Sequence, residues 1–232
     1  MPTQEETSTW WTADFETTSE KNLEKDGYVR VWLWSLVGVE YGEKFYGFDI
    51  QSFLKKVKVL KCKRVFFHNL KFDGRFIVDF FIRNNKVYGE DYECIIDGLG
   101  SWYEIKWKCA SRTNVKFWDS LKKFPGTSVE QLGKFVGLPK LDKPYFDRYF
   151  PEDYRPSQEE IEYCIRDSQV VAKAISYDLE QGYTAMTLAS DCFRWARDTC
   201  LGGKFYRDIM PQVSEDVDEF CRHAYRGGIS YL

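Results

Sequence analysis

The 232-residue sequence contains no apolar run approaching the roughly 18 residues that a membrane-crossing helix requires, so a spanning segment of that kind is excluded. It also lacks a C-x-x-C pair. Its seven cysteines (Cys62, Cys94, Cys109, Cys164, Cys192, Cys200 and Cys221) are odd in number and scattered. A secreted disulfide framework or a zinc knuckle would be spaced differently, and reduced thiols in a cytoplasmic setting fit best. There is no internal repeat and no low-complexity stretch. Excess positive charge is missing too: the net charge is −3 and the isoelectric point is near 5.6, which argues against binding nucleic acid by bulk charge alone. An enzyme whose carboxylates hold metal ions is not excluded, because those carboxylates are themselves part of the negative count. Residues 1–9 are polar and acidic, unlike a signal or transit peptide.

What the chain does have is aromatic surface. Hydrophobic residues make up 44% and aromatics 18%, including 8 Trp, 15 Tyr and 18 Phe, and so much apolar area would collapse out of water. At this length a core forms without disulfides or a structural metal. Strands are expected at residues 10–15, 28–39 and 44–48 as an antiparallel meander, and again at 65–67, 92–96, 102–109 and 114–118. Helices are expected at 51–57, after Asp73-Gly74, at 127–136, from the capping box Ser157/Glu160 onward, at 183–200, and from near Ser214. Residues 139–156 are irregular, with four prolines. The pattern is α/β with a mixed central sheet and helices on its faces, and no internal linker is long enough to divide it.

Three groups of residues suggest chemistry. Asp14 and Glu16 stand at i and i+2 near the end of the first strand, so both carboxylates share one face while Ala13 and Phe15 share the other. Adjacent carboxylates repel, and a shared proton or a bound cation is the usual remedy. Alone, D-x-E also fits a solvated strand end. The second group, His68-Asn69-Leu70-Lys71-Phe72-Asp73-Gly74, follows an apolar strand and precedes a helix. Asn69 suits phosphate contacts, and Phe72 and Phe76 supply stacking faces. The bland alternative for Asp73 is an N-cap. Third, Tyr163 and Asp167 lie one turn apart on one face of a long helix, a pair that also arises by chance. Six cations in ten residues (Lys55, Lys56, Lys58, Lys61, Lys63 and Arg64) read first as a solvated face and second as a phosphate-tracking patch.

Taken in order, these motifs resemble the 3′–5′ exonuclease superfamily of the ribonuclease-H-like fold, in its tyrosine subclass. Asp14-Phe15-Glu16-Thr17-Thr18, His68 to Gly74, Asp119-Ser120-Leu121-Lys122-Lys123 and Ala224-Tyr225-Arg226-Gly227-Gly228 narrow this further. They resemble the proofreading domain of terminal-protein-primed family B DNA polymerases of bacteriophages, over nearly the whole chain. The resemblance implies that Asp14, Glu16, Asp73 and Asp167 are ligands of two Mg2+ or Mn2+ ions and that Tyr163 orients the attacking water. It implies that Thr17, His68, Asn69, Phe72, Phe76, Ser120 and Leu121 contact a single-stranded DNA 3′ end. Lys140 and Tyr145, with Lys143 close by, match a lysine and a tyrosine of the family's site, and Tyr225, Gly227 and Gly228 belong to a Y-x-G-G segment that approaches DNA. Residues 1–9 would be a tail, 10–222 the exonuclease domain, and 223–232 a connector toward a polymerase domain, so polymerase activity is not expected from this chain alone. Terminal protein and a polymerase domain in cis or trans are the implied partners, and the host cytoplasm the implied location. His68 and Asp73 also read as H-x-x-x-x-D of the histidine subclass, but that leaves Asp167 idle and offers only Asp26 or Asp49 for the second acidic motif. A stand-alone exoribonuclease and a non-catalytic adaptor binding DNA or terminal protein are the competing readings.

Overall fold

The structure, a computed structural model, describes residues 9–109, 114–145, 148–201, 208, 210 and 213–224. It divides into two compact units, Met1–Leu188 and Ala189–Leu232. The first is built on a seven-stranded sheet. Its strands are β1 (Trp10–Thr17), β2 (Val31–Gly38), β3 (Lys44–Gly47), β4 (Arg64–Phe67), β5 (Tyr92–Ile96), β6 (Trp102–Lys108) and β7 (Asn114–Asp119). Their order is β3-β2-β1-β4-β7-β6-β5. The β1–β4 and β4–β7 pairs are parallel and the rest antiparallel. The expected meander forms the β3-β2-β1 side.

Alternation along the central strands fills two core layers. Trp11, Ala13, Phe15, Trp34, Leu36, Val65 and Phe67 face helices α2 (Ile50–Val59) and α3 (Leu70–Arg83), meeting Phe53, Val57 and Ile77. Helix α1 (Glu20–Asp26) follows β1. The opposite face of the sheet, with Trp10, Val37, Phe66 and Trp118, packs on Val171, Ala172 and Ile175 of the long helix α5 (Gln158–Glu180), while α4 (Val129–Phe135) closes the same side through Leu132. Beneath α5 the sheet turns polar. Thr12 Oγ1 donates to the Ser168 carbonyl at 2.8 Å, and Ser35 Oγ donates to the Cys164 carbonyl at 2.9 Å. Small hydroxyl residues let the helix approach closely and satisfy those buried groups at the same time. The second unit contains α6 (Leu188–Trp195, running into a π-helical turn, Ala196–Cys200) apart from its first residue, and α7 (Glu215–Ala224).

Three local expectations change. Helix α1 has no apolar period to announce it; it is tied by buried Asn22, whose side chain accepts from the Phe150 N–H at 2.9 Å and donates to its carbonyl at 2.6 Å. Helix α3 begins at Leu70, entered through Asn69 in the left-handed region (φ 80), so Asp73 lies in its first turn and is not an N-cap. Residues 183–187 are not helical. The buried Lys123 ammonium takes the carbonyls of Tyr183 and Ala185 at 3.3 and 3.1 Å, which a helix would have used internally.

Candidate active site

The site grows from a mismatch in strand length. Strand β1 pairs with β4 only from Trp10 to Ala13, and β4 stops at Phe67 opposite Ala13. Beyond that point Asp14 and Glu16 project on the face opposite Phe15, toward α5. The first turn of α3 comes in where β4 has ended and delivers Asp73, 3% exposed. Gly74 next to it lets α3 lie close: a Cβ there would stand 2.9 Å from Ile105 Cδ1. From above, α5 contributes Tyr163 and Asp167, both buried on the same helical face. Four carboxylates from three elements therefore converge. The Asp14 carboxyl feels the negative charge of Glu16, Asp73 and Asp167 together.

Burial raises every member's proton affinity, and repulsion from neighbouring acids adds to it at Asp14, Glu16 and Asp73. Burial pushes Asp14 well above the ordinary carboxylate range, with Glu16, Asp73 and Asp167 adding to it. Burial likewise raises Asp73 strongly, against the opposing pull of the Phe15 backbone N–H. Glu16 is pushed up to about 7 by burial, although a Tyr145 hydroxyl hydrogen bond and Lys143 act in the other direction. Asp167 is raised by burial against the nearby Lys140. Two buried oxygens, Asp73 Oδ1 and Asp167 Oδ1, have no hydrogen-bond partner. Buried carboxylate oxygens are almost always satisfied, so an unpartnered pair inside an acidic cluster marks a place for a cation. Ligand atoms of Asp14, Glu16 and Cys164 lie within 4.8 Å of one another. Burial and the neighbouring acids hold the Cys164 thiol protonated, however, and it points to the Asp14 carbonyl at 3.7 Å. The usable donors are oxygens, a set that suits Mg2+ or Mn2+.

Lys140, on the irregular segment after α4, comes to 2.6 Å from Asp167 Oδ2 and 5.2 Å from the centre of the Tyr163 ring. Tyr145, 7% exposed, donates its hydroxyl to Glu16 Oε2, and Lys143 stands over the Tyr145 ring at 4.4 Å. All three are thus beside the acids. The Tyr163 hydroxyl is held up to about 12 by burial and by Asp167.

The loop residues take two different places. His68 is part-buried with both ring nitrogens engaged: Nδ1 with Ser120 Oγ and Nε2 with the Thr127 carbonyl, each at 2.8 Å. Nε2 must donate to that carbonyl, so Nδ1 accepts from Ser120, and burial keeps the ring neutral. Asp119 Oδ1 accepts from the N–H groups of Asn69 and Leu121 at 3.1 and 3.0 Å, locking the two motifs together. Asn69 itself is exposed, Ser120 is buried and Leu121 is half-buried. Thr17, Phe72 and Phe76 instead line a cleft of about 720 Å³, in which the two phenyl rings meet edge to face at 6.2 Å. Tyr225, Gly227 and Gly228 lie outside the described residues. Lys143 was the expected alternative to Lys140; Cys164 and Arg75 (another wall of the cleft) were missed as neighbours of the site. Only α5 periodicity, for Cys164, carried a signal.

A mixed sheet of this order with acids at the end of its first strand and on a helix crossing it is the ribonuclease-H-like fold. No family model matches the chain. Among curated proteins, the DNA polymerase of Bacillus phage phi29 is 31% identical over 96% of this chain and 39% of its own length. That of Streptococcus phage Cp-1 is 30% identical over 92% of this chain and 38% of its own. Among solved structures, phi29 DNA polymerase with primer-template DNA and incoming nucleotide superposes with a TM-score of 0.80 at 29% identity, over 93% of this chain and 38% of that one. The same enzyme with single-stranded DNA gives 0.78. The chain is homologous to the N-terminal, exonuclease region of the protein-primed family B DNA polymerases of phages. It spans 39% of the length of the first of these relatives.

Proposed function

We propose that this chain is a divalent-metal-dependent 3′–5′ exonuclease that releases nucleoside 5′-monophosphates from single-stranded or mismatched DNA 3′ ends. The observation that carries the reading is the convergence of Asp14, Glu16, Asp73 and Asp167 with two buried carboxylate oxygens unpartnered. These four would hold the ions, two by the family's pattern, and bound cations of this kind supply charge to activate water and to stabilise a leaving 3′-oxygen. The chain's own groups do the positioning. Tyr163, with its proton held to about pH 12, is a neutral hydroxyl that orients water by hydrogen bonding and does not act as an anionic base. Lys140 offsets the Asp167 charge and fixes that carboxylate relative to Tyr163. Tyr145 fixes Glu16 in the same way. Phe72 and Phe76 offer faces for unpaired bases, and such stacking tolerates any sequence.

Residues 10–222 would form the exonuclease domain and 223–232 a connector. Terminal protein and a polymerase domain, in cis or in trans, are the partners this reading adds, with action in the host cytoplasm. Among the described residues no helix is long and apolar enough to cross a membrane. The test is a 5′-labelled oligothymidylate incubated with Mg2+. A ladder shortening one nucleotide at a time from the 3′ end, stopped by chelator and by a blocked 3′ terminus, is expected. Absence of cleavage, or faster cleavage of an RNA 3′ end, overturns it.

A further inference from the structure

We infer that Arg75, through its guanidinium, is a strand-holding residue that binds one phosphate of the nucleic-acid strand whose bases stack on Phe72 and Phe76. The inference rests on the single-strand reading above but assigns a contact that neither the motifs nor the family resemblance supplied.

Arg75 lines the same cleft of about 720 Å³ as Thr17, Ser19, Glu20, Phe72 and Phe76. Among the described residues it is the only cation lining that cleft. Its position three residues after Phe72 and one before Phe76 on α3 places it on the exposed side of the helix, beside a Phe72 ring that is 48% exposed. The ordinary explanation of such an arginine is an i,i+4 ion pair on the helix surface, here with Asp79. That explanation fails because Asp79 is bonded to Arg83 at 2.8 Å. Among the described residues no hydrogen bond or ion pair engages the Arg75 side chain. Glu20 shares the cleft but lies outside ion-pair distance of Arg75 and opposes an anion, so the guanidinium must outweigh it. The chemistry fits: aromatic faces take bases, the Thr17 hydroxyl supplies a neutral donor, and a planar guanidinium grips a phosphate with two N–H groups at once. A cleft with aromatic faces and no cation would hold bases without fixing the register of the backbone.

Binding of fluorescent oligothymidylate in chelator reads this apart from catalysis. Arg75→Ala should weaken binding about 5- to 10-fold and reduce the slope of log affinity against log salt by about 0.7, the value for one phosphate contact on a single strand. Arg75→Lys should restore the slope and only part of the affinity. A set of oligonucleotides, each with one neutral methylphosphonate linkage, should contain one whose weakening in the native chain vanishes in Arg75→Ala. Unchanged affinity and salt slope in Arg75→Ala would overturn the inference even if the nuclease is active, as would effects of Arg75→Ala and every methylphosphonate that simply add. A chain that binds as expected but never cuts would refute the nuclease reading alone.

Discussion

Lys140 and Asp167 are joined by a 2.6 Å hydrogen-bonded ion pair that ties an irregular, proline-bounded segment to the middle of α5. The pair sits beside the Tyr163 ring, so one ammonium sets both a candidate metal ligand and a candidate water-orienting hydroxyl. Lys140→Met should therefore lower turnover by about 10- to 100-fold, or roughly 1.4–2.7 kcal/mol of barrier, while changing oligonucleotide affinity less than threefold. Single-turnover rates and binding anisotropy measured on the same variant decide this. An unchanged rate removes Lys140 from the site.

Asp14→Ala and Asp167→Ala should each depress cleavage by at least about 10³-fold, since one carboxylate of a cation site is lost. Neither should unfold the protein, and Asp14→Ala in chelator should melt no lower than the native chain because it relieves repulsion with Glu16 and Asp73. Circular dichroism melts alongside the cleavage assay check both halves.

Tyr163→Phe should cut turnover by about 10²-fold with affinity intact, because the hydroxyl that orients the attacking water is lost. His68→Ala should behave differently. It removes two protein hydrogen bonds, from Ser120 and to Thr127, and should cost about 1–3 kcal/mol in denaturant titrations while leaving the shape of the pH–rate profile as it was. A profile whose limb disappears in His68→Ala would assign the chemistry to histidine.

Stability without metal should depend on Glu16. Its folded carboxyl keeps its proton up to about pH 7, against an ordinary value of 4.5, so the folded state binds more protons than the unfolded state between those values. The stabilisation is full below about pH 4.5 and is lost as pH rises to 7, up to roughly 3 kcal/mol. Glu16→Gln should flatten that slope relative to the native chain in chelator. Mg2+ should raise the melting temperature at pH 8 and much less at pH 5, where the carboxyls are already protonated. Parallel pH slopes for the two chains would refute this.

Much of the site was legible because strand and helix periods put chemistry on predictable faces. Asp14 with Glu16 on β1, and Tyr163 with Asp167 on α5, needed only periods of 2 and 3.6. Alternation also separated Ala13 and Phe15 into the core. What the sequence did not reveal depends on contacts between distant segments. Asn22 anchors α1 through a partner 128 residues away, and no local pattern encodes that. The non-helical stretch at 183–187 is set by Lys123, whose burial is visible only in three dimensions. Likewise the α3 start moved back to Leu70 because Asp119, from another strand, fixes Asn69 in a left-handed turn. Arg75 is locally an unremarkable helix-surface arginine, and only the Asp79–Arg83 pair leaves it unmatched.

The hydroxyls of Thr12 and Ser35 meet carbonyls of α5 at Ser168 and Cys164, four residues apart on one helix edge. Together they act as an index pin. A slip of α5 by a single residue would swing each side chain by about 100° around the helix axis and carry Tyr163 and Asp167 away from β1, yet would leave much of the apolar packing replaceable by neighbours of similar size. Apolar contact alone does not choose between such registers, whereas paired hydroxyl–carbonyl bonds do. The pin lies one turn or less from the candidate ligands, so thermal sliding of the helix is checked at the very level where ångström-scale aim matters.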